Sequence, residues 1–282
     1  KETANKFIEN LKNYCTYLIN EPTLPKQSLV FQRFTLLNER NKWKINGSYI
    51  SVEDKEWIIK NVYLKQKKVT KKSIESSLTR KYKGERISLT SSGTKENGEK
   101  GVTNEDLHAS LSSWIAFIDN RAFGYSLLTD KSKQELAEKI IYDITMFEDK
   151  ELRLDRLKEY KLTPNQIRYR ANLKFEGWAK LSGKLLTGLT TDLVNQDTGE
   201  ISSYSIMDLR WWTNDNFRQI RETKEGKDYK YSFTDQIEKL NDAGEKTLDD
   251  IISNLYVSPI RKRALHQSID VVLDLKKVLK IN

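Results

Sequence analysis

Lys180, Gly183, Lys184 and Thr187 are the residues whose types and spacing could most directly do chemistry. If residues 175–189 wind as a helix, Trp178, Leu181, Leu185 and Leu189 recur at intervals of three and four and form an apolar stripe. The polar four then fall on the other side, with two ammonium groups flanking a glycine. A polyanion backbone can come close there, because glycine removes bulk and lysine supplies charge. The expected helix docks by one face and offers the other to phosphates. Spacing alone favours a plainer alternative, a solvated basic face on an ordinary core helix.

Other bases have their own settings. Arg168 and Arg170 lead into that stretch behind Thr163-Pro164-Asn165-Gln166, which combines an N-cap, proline at the first helical position and glutamine at the third. Arg261, Lys262 and Arg263 crowd the first turn of the last helix, a poor place for cations unless an anion sits there. Simple surface charge explains them nearly as well. Between residues 60 and 86, Lys65, Lys67, Lys68, Lys71, Lys72, Arg80, Lys81 and Lys83 either touch nucleic acid or face water. Trp211 and Trp212 stand among Arg210, Arg218 and Arg221 and could stack unpaired bases. Adjacent tryptophans on a helix more often divide between core and edge.

Catalysis has little to work with. Glu148-Asp149 and Asp249-Asp250 could bind a divalent metal, but neighbouring helical residues diverge by roughly 100°, and both pairs sit where acids cap helix starts. His108 and His266 are isolated. The single cysteine, Cys15, permits no internal disulfide or thiolate zinc cluster and reads as a small buried hydrophobe on the first helix. No Rossmann glycine motif, phosphate loop or repeat period is present.

The elements that must position these residues read as helices. With 4 Pro and 12 Gly in 282 residues, long helices form readily. Phe7, Leu11, Tyr14 and Leu18 mark an opening helix that stops near Pro22 and Pro25, and residues 28–45 read as a second. Caps at Ser51 with Asp54, Thr103 with Asp106, Ser132 with Glu135 and Thr247 with Asp250 start four more, and Ser258-Pro259 starts the last. Residues 84–101 read as a flexible loop or insertion and 195–199 as a turn. Strand alternation is nowhere sustained, so the expected fold is all-α, an irregular multi-helix domain. A hydrophobic content of 37% beside 32% charged residues suits a folded chain with a heavily charged surface. The formal charge of +9, from 49 basic and 40 acidic residues, favours acidic partners, nucleic acid first. No apolar run approaches a membrane span. The chain opens on Lys1 inside a helical pattern and reads as a piece of something longer.

Several segments together resemble the recognition lobe of the type II CRISPR RNA-guided DNA endonuclease, the Cas-nine family, and within it the third recognition subdomain. They are Leu24-Pro25-Lys26-Gln27-Ser28-Leu29 with Phe34-Thr35 and Asn38-Glu39; Met146-Phe147-Glu148-Asp149-Lys150-Glu151; Arg156-Leu157-Lys158; Gly177-Trp178-Ala179-Lys180-Leu181-Ser182-Gly183-Lys184-Leu185; and Ser258-Pro259 leading to Gln267 and Val271-Val272. Their order and approximate spacing match the family over nearly the whole chain. The resemblance implies a lead-in helix over 1–22 and a helical domain over 23–282, with 84–101 as an insertion. It also implies a role: cradling the PAM-distal part of a guide RNA–target DNA heteroduplex by its sugar-phosphate backbone and sensing its completeness to license the nuclease.

Tyr17, Trp178, Lys180 and Gln267 match the family's backbone-contact positions. Relatives carry arginine at Lys180 and Gly183 and asparagine at Tyr17. Lysine loses the bidentate fork, glycine loses the charge, and tyrosine keeps one hydroxyl, which shifts weight to Lys184, Arg168 and Arg170. Lys26, Arg261, Lys262 and Arg263 complete the candidate set. No catalytic residue or cofactor is expected in this stretch; a divalent metal, magnesium, belongs to the parent's nuclease domains. The implied partners are guide RNA, target DNA and the rest of the nuclease in a bacterial cytoplasm, with no membrane. The alternative is a helical scaffold whose basic surface binds an acidic protein such as an anti-CRISPR inhibitor.

Overall fold

The computed structural model describes residues 13–92, 99–194, 200–222, 233–243, 252, 261–269 and 271. Helix α1 (Leu29–Arg40) begins at Ser28, whose hydroxyl accepts from the Phe31 amide at 3.1 Å. A second cap reaches in from far along the chain: the Glu138 carboxylate accepts from the Ser28 hydroxyl at 3.1 Å and the Val30 amide at 2.9 Å. The chain then turns into strand instead of continuing as helix to residue 45. β1 (Trp43–Ile45) and β2 (Ser48–Tyr49) form a hairpin around Asn46 and Gly47, whose φ angles are +50° and +84°. Asn-Gly suits that turn because both central positions need positive φ.

Two helices follow, α2 (Val52–Ile58), which runs into a π-helical turn at Ile59–Tyr63, and α3 (Lys71–Lys81). Residues 84–101, expected as a loop, supply β3 (Leu89–Ser92) and β4 (Glu99–Gly101), completing an antiparallel sheet in the order β2-β1-β3-β4. Later in the chain β5 (Thr190–Val194) pairs with β6 (Ile201–Ser205) as a separate two-stranded sheet. The all-α expectation is therefore corrected: the described chain is mixed, helices with two sheets. The cause is length, since strands of two to five residues are too short to display alternation.

Helix starts follow local chemistry more closely. Ser51 caps α2 through the Asp54 amide at 3.1 Å, and the Thr163–Gln166 box caps α7 (Pro164–Ala171), both as expected. The Thr103–Asp106 box holds only a single 3-10 turn, and the helix bearing Trp114, α4 (Ser112–Ile118), starts later. α5 (Lys131–Met146) is capped by Asp130, not by Ser132. Asp149 caps α6 (Lys150–Lys158), accepting from the Glu151 and Leu152 amides at 2.9 Å, the structural role expected of that acid pair. After β6 come α8 (Ile206–Trp212), α9 (Phe217–Glu222), α10 (Phe233–Ala243) and a further helical stretch at 261–269, here α11. The expected opening helix lies mainly in residues 1–12, outside the described residues; over 13–22 the chain is a bridged turn, with Tyr14 paired to Pro22 and Cys15 buried off any helix. The caps at Thr247 and Ser258 and the 195–199 turn also lie outside the described residues.

Among the described residues two hydrophobic cores result. The first gathers α2 to α7 and the larger sheet, with Leu78, Phe117, Ile140 and Ile144 essentially shielded from water. The second joins Cys15 and Leu18 to Leu181, Leu185, Ile206, Leu209 and Phe233. α1 serves both, giving Leu29 and Leu36 to the first and Phe34 and Leu37 to the second. Buried arginines stack on aromatic faces within them, Arg40 lying 3.6 Å from the Trp43 ring centre and Arg210 4.8 Å from Phe34. Ring faces offset part of what those desolvated guanidinium groups lose in water.

Candidate nucleic-acid interface

Residues 175–189 do not form the expected helix. Gly177 adopts φ +82°, which breaks helical continuity, and the chain runs extended beside residues 16–26. A ladder of backbone hydrogen bonds laces the two segments: the Thr16 amide to the Lys180 carbonyl at 3.0 Å, Ala179 to Leu24 at 2.8 Å, Leu24 to Leu181 at 2.9 Å and Lys26 to Gly177 at 3.0 Å. Only then does the chain coil, as one π-helical turn at Lys184–Gly188. That wide turn sends the sequence neighbours Leu185 and Leu186 both into the second core. The apolar residues go inward as expected, by a different backbone.

The ladder fixes the lysines. Lys26 and Lys180 are exposed on backbone that is hydrogen-bonded to the opposite segment. The Lys26 stem lies across Gly177, where an added Cβ would sit 3.3 Å from its Cδ. Lys180 forms no ion pair with any described residue, whereas the Lys184 ammonium rests on Glu21 at 2.6 Å. Trp178 is half-buried, its ring edge-on to Tyr142 at 5.1 Å, so it braces the ladder from behind. Tyr17 is half-buried too. Its ring meets Phe217 at 5.5 Å and the Arg221 guanidinium at 4.5 Å, which ties the ladder to α9.

The remaining candidates divide. Arg168 is exposed on α7, but Arg170, two residues and so roughly 200° further round the helix, is fully buried. Its guanidinium lies 4.6 Å from Phe123 and donates to the Gln166 carbonyl at 3.1 Å; burial pushes it down to about 10, still a cation at neutral pH. Arg261, Arg263 and Gln267 are exposed on α11, with Lys262 half-buried. The structure thus brings Tyr17, Lys26, Trp178, Lys180 and Lys184 into one laced unit and leaves Arg168 and the α11 residues on separate elements. Trp211 is half-buried and Trp212 is 60% exposed, the division into inner and outer rings expected of the pair.

One basic site escaped the sequence reading. Arg33, on α1, lies 6.0 Å from the Trp114 ring centre and 5.3 Å from that of Trp211. No spacing rule joins positions so far apart in the chain. Among the described residues no group of three or more His, Cys, Asp and Glu converges to hold a metal, and no helix is long and apolar enough to cross a membrane.

A family model described as the REC lobe of CRISPR-associated endonuclease Cas9 matches residues 1–279. The chain is 29% identical over 287 residues to the CRISPR-associated endonuclease Cas9 of Streptococcus mutans serotype c, and 29% identical over 288 residues to that of Listeria innocua serovar 6a. Each alignment covers 99% of this chain and 20% of the relative, so the chain spans about a fifth of the length of these proteins.

Proposed function

The chain belongs to the REC-lobe family of the CRISPR-associated endonuclease Cas9, and from that premise we propose that it cradles the PAM-distal part of a guide RNA–target DNA heteroduplex. On this reading it reports the completeness of pairing to nuclease domains elsewhere in the parent protein, in a bacterial cytoplasm. The supporting observation is the laced ladder that holds Lys26 and Lys180 exposed on fixed backbone, with Lys184 beside them. Phosphate contacts set position and register without reading sequence. Lysine acts there as a point charge, so A-form geometry is sensed through where the phosphates fall. Chemistry on the DNA, and the divalent metal it uses, belongs to the parent's nuclease domains.

Titration of the chain with an RNA–DNA hybrid, duplex DNA and a single strand at several ionic strengths tests this. The hybrid should bind best, each engaged lysine adding about 0.9 to the slope of log affinity against log salt. Lys180→Ala combined with Lys184→Ala should flatten that slope by up to about 2 and weaken binding evenly across sequences. An unchanged slope with an unchanged thermal transition removes the ladder from the site. Equal affinity for hybrid and duplex DNA would instead favour an acidic protein as the ligand of this surface.

A further inference from the structure

The groove around Arg33 has a built character that the ladder does not use. It encloses about 490 Å³, within the range of pockets that hold small ligands. Trp114, buried in the first core, and half-buried Trp211, packed on the second, both line it, with the Arg33 guanidinium over their rings. Arg33 lines it and makes no hydrogen bond or ion pair among the described residues. Asp208 acts on Arg33 through space without a hydrogen bond to it; its Oδ2 accepts from the Ser205 amide at 2.9 Å and hydroxyl at 2.6 Å. Lys60 and Lys65 stand exposed at the rim, and Tyr125, 63% exposed, lies beneath the Lys65 ammonium at 6.0 Å. Glu56 is the only acid among the lining residues.

Aromatic walls, a guanidinium lacking an acceptor and two rim cations fit a planar, acceptor-edged, anionic ligand. We propose that this pocket takes one unpaired nucleotide, its base against the aromatic wall, an acceptor edge on Arg33 and its phosphate at Lys60 and Lys65. Arginine matches the paired acceptors of a guanine edge best, so guanine is the preferred base. Stacking on aromatic side chains is available only to a base that has left its own stack, and extrusion costs least at a mismatch. The pocket therefore favours hybrids with a displaced base over perfect ones. This inference rests on the reading of the chain as a heteroduplex cradle.

The test follows intrinsic tryptophan fluorescence of the whole chain as guanosine monophosphate, inorganic phosphate, a short single-stranded oligonucleotide or an acidic aromatic peptide is added. Saturable quenching by the nucleotide and the oligonucleotide, but not by phosphate alone, is expected. Lys60→Ala with Lys65→Ala should weaken it about tenfold, the factor given by ~1.4 kcal/mol. Arg33→Leu should abolish it. Should Arg33→Leu fail to fold, Leu128→Trp fills the groove from a position 38% exposed and should abolish it as well. Quenching that survives both substitutions, equal quenching by phosphate alone, or saturation by the peptide and not the nucleotide each overturns the proposal. Lys180→Ala with Lys184→Ala separates the two readings. It should lower hybrid affinity and leave nucleotide quenching unchanged; if quenching persists while hybrid affinity does not move, the ladder reading fails and the pocket stands.

Discussion

Ile140 and Leu185 are equally shielded from solvent, yet they anchor cores assembled on different plans. Around Ile140 the packing comes largely from helices that follow one another along the chain, α2 to α7. Around Leu185 it comes from Cys15, Phe34, Ile206 and Phe233, separated by up to most of the chain. Each such contact closes a long loop before it returns any packing energy. The region that carries the lysine ladder is thus the one built from distant pieces, and the region beside it is built from near ones. The side chains proposed to meet phosphates rest on the less local of the two cores.

Paired substitutions test that contrast. Leu185→Ala and Ile140→Ala should each cost about 2–5 kcal/mol by urea unfolding, but only Leu185→Ala should lower hybrid affinity in the folded population. Equal losses of affinity would erase the distinction between the cores.

Lys55 gives a finer probe, because it ties the regions together from α2. Its buried ammonium donates to the Trp211 carbonyl at 3.0 Å and the Thr213 carbonyl at 2.9 Å, at the end of α8. Burial, then the neighbouring Arg210 charge, pushes it down to about 8. An unfolded lysine titrates near 10.4, so between about pH 8 and about pH 10 the unfolded chain holds the extra proton and stability rises with pH. The rise should be no more than ~1 kcal/mol per pH unit. Lys55→Met should flatten it, and parallel pH profiles for the two proteins would show that burying the Lys55 ammonium carries no such cost.

Two smaller effects separate backbone from charge. Gly177→Ala forces a side chain into φ +82° and against the Lys26 stem, costing about 1 kcal/mol or more and weakening hybrid binding. Gly84→Ala, at φ +95° with open space around it, should cost similar backbone strain in thermal unfolding and leave binding alone. Smallest of all, Glu21→Gln releases the Lys184 ammonium from an exposed pair and should strengthen hybrid binding by less than ~1 kcal/mol. A loss of affinity would mean that Glu21 orients Lys184 instead of competing for it.

What was legible in the sequence was local. The N-cap at Ser51 and the box at Thr163 lie within four residues, so the letters specify their geometry. Asn46-Gly47 carries an equally local hairpin signature, which the helical reading of 28–45 passes over. The strands on either side of it are too short to signal themselves. Trp178, Leu181, Leu185 and Leu189 keep helical intervals on a backbone that is a ladder followed by a π turn, because burial fixes which residues face inward and not how the chain gets there. Arg168 and Arg170 are alike as letters, and only the packing of Phe117 and Phe123 decides that the second faces inward. Family membership was legible for another reason: it rests on an ordered set of short segments, which survives errors in the backbone assigned to any one of them.

Helix α1 is gripped on one flank through Leu29 and Leu36 and on another through Phe34 and Leu37. An axle held this way has little room to roll, and close-packed interiors resist gradual sliding. A pull on the ladder side would reach the larger sheet as a jump between seatings, more like a pawl dropping into the next tooth than a spring stretching.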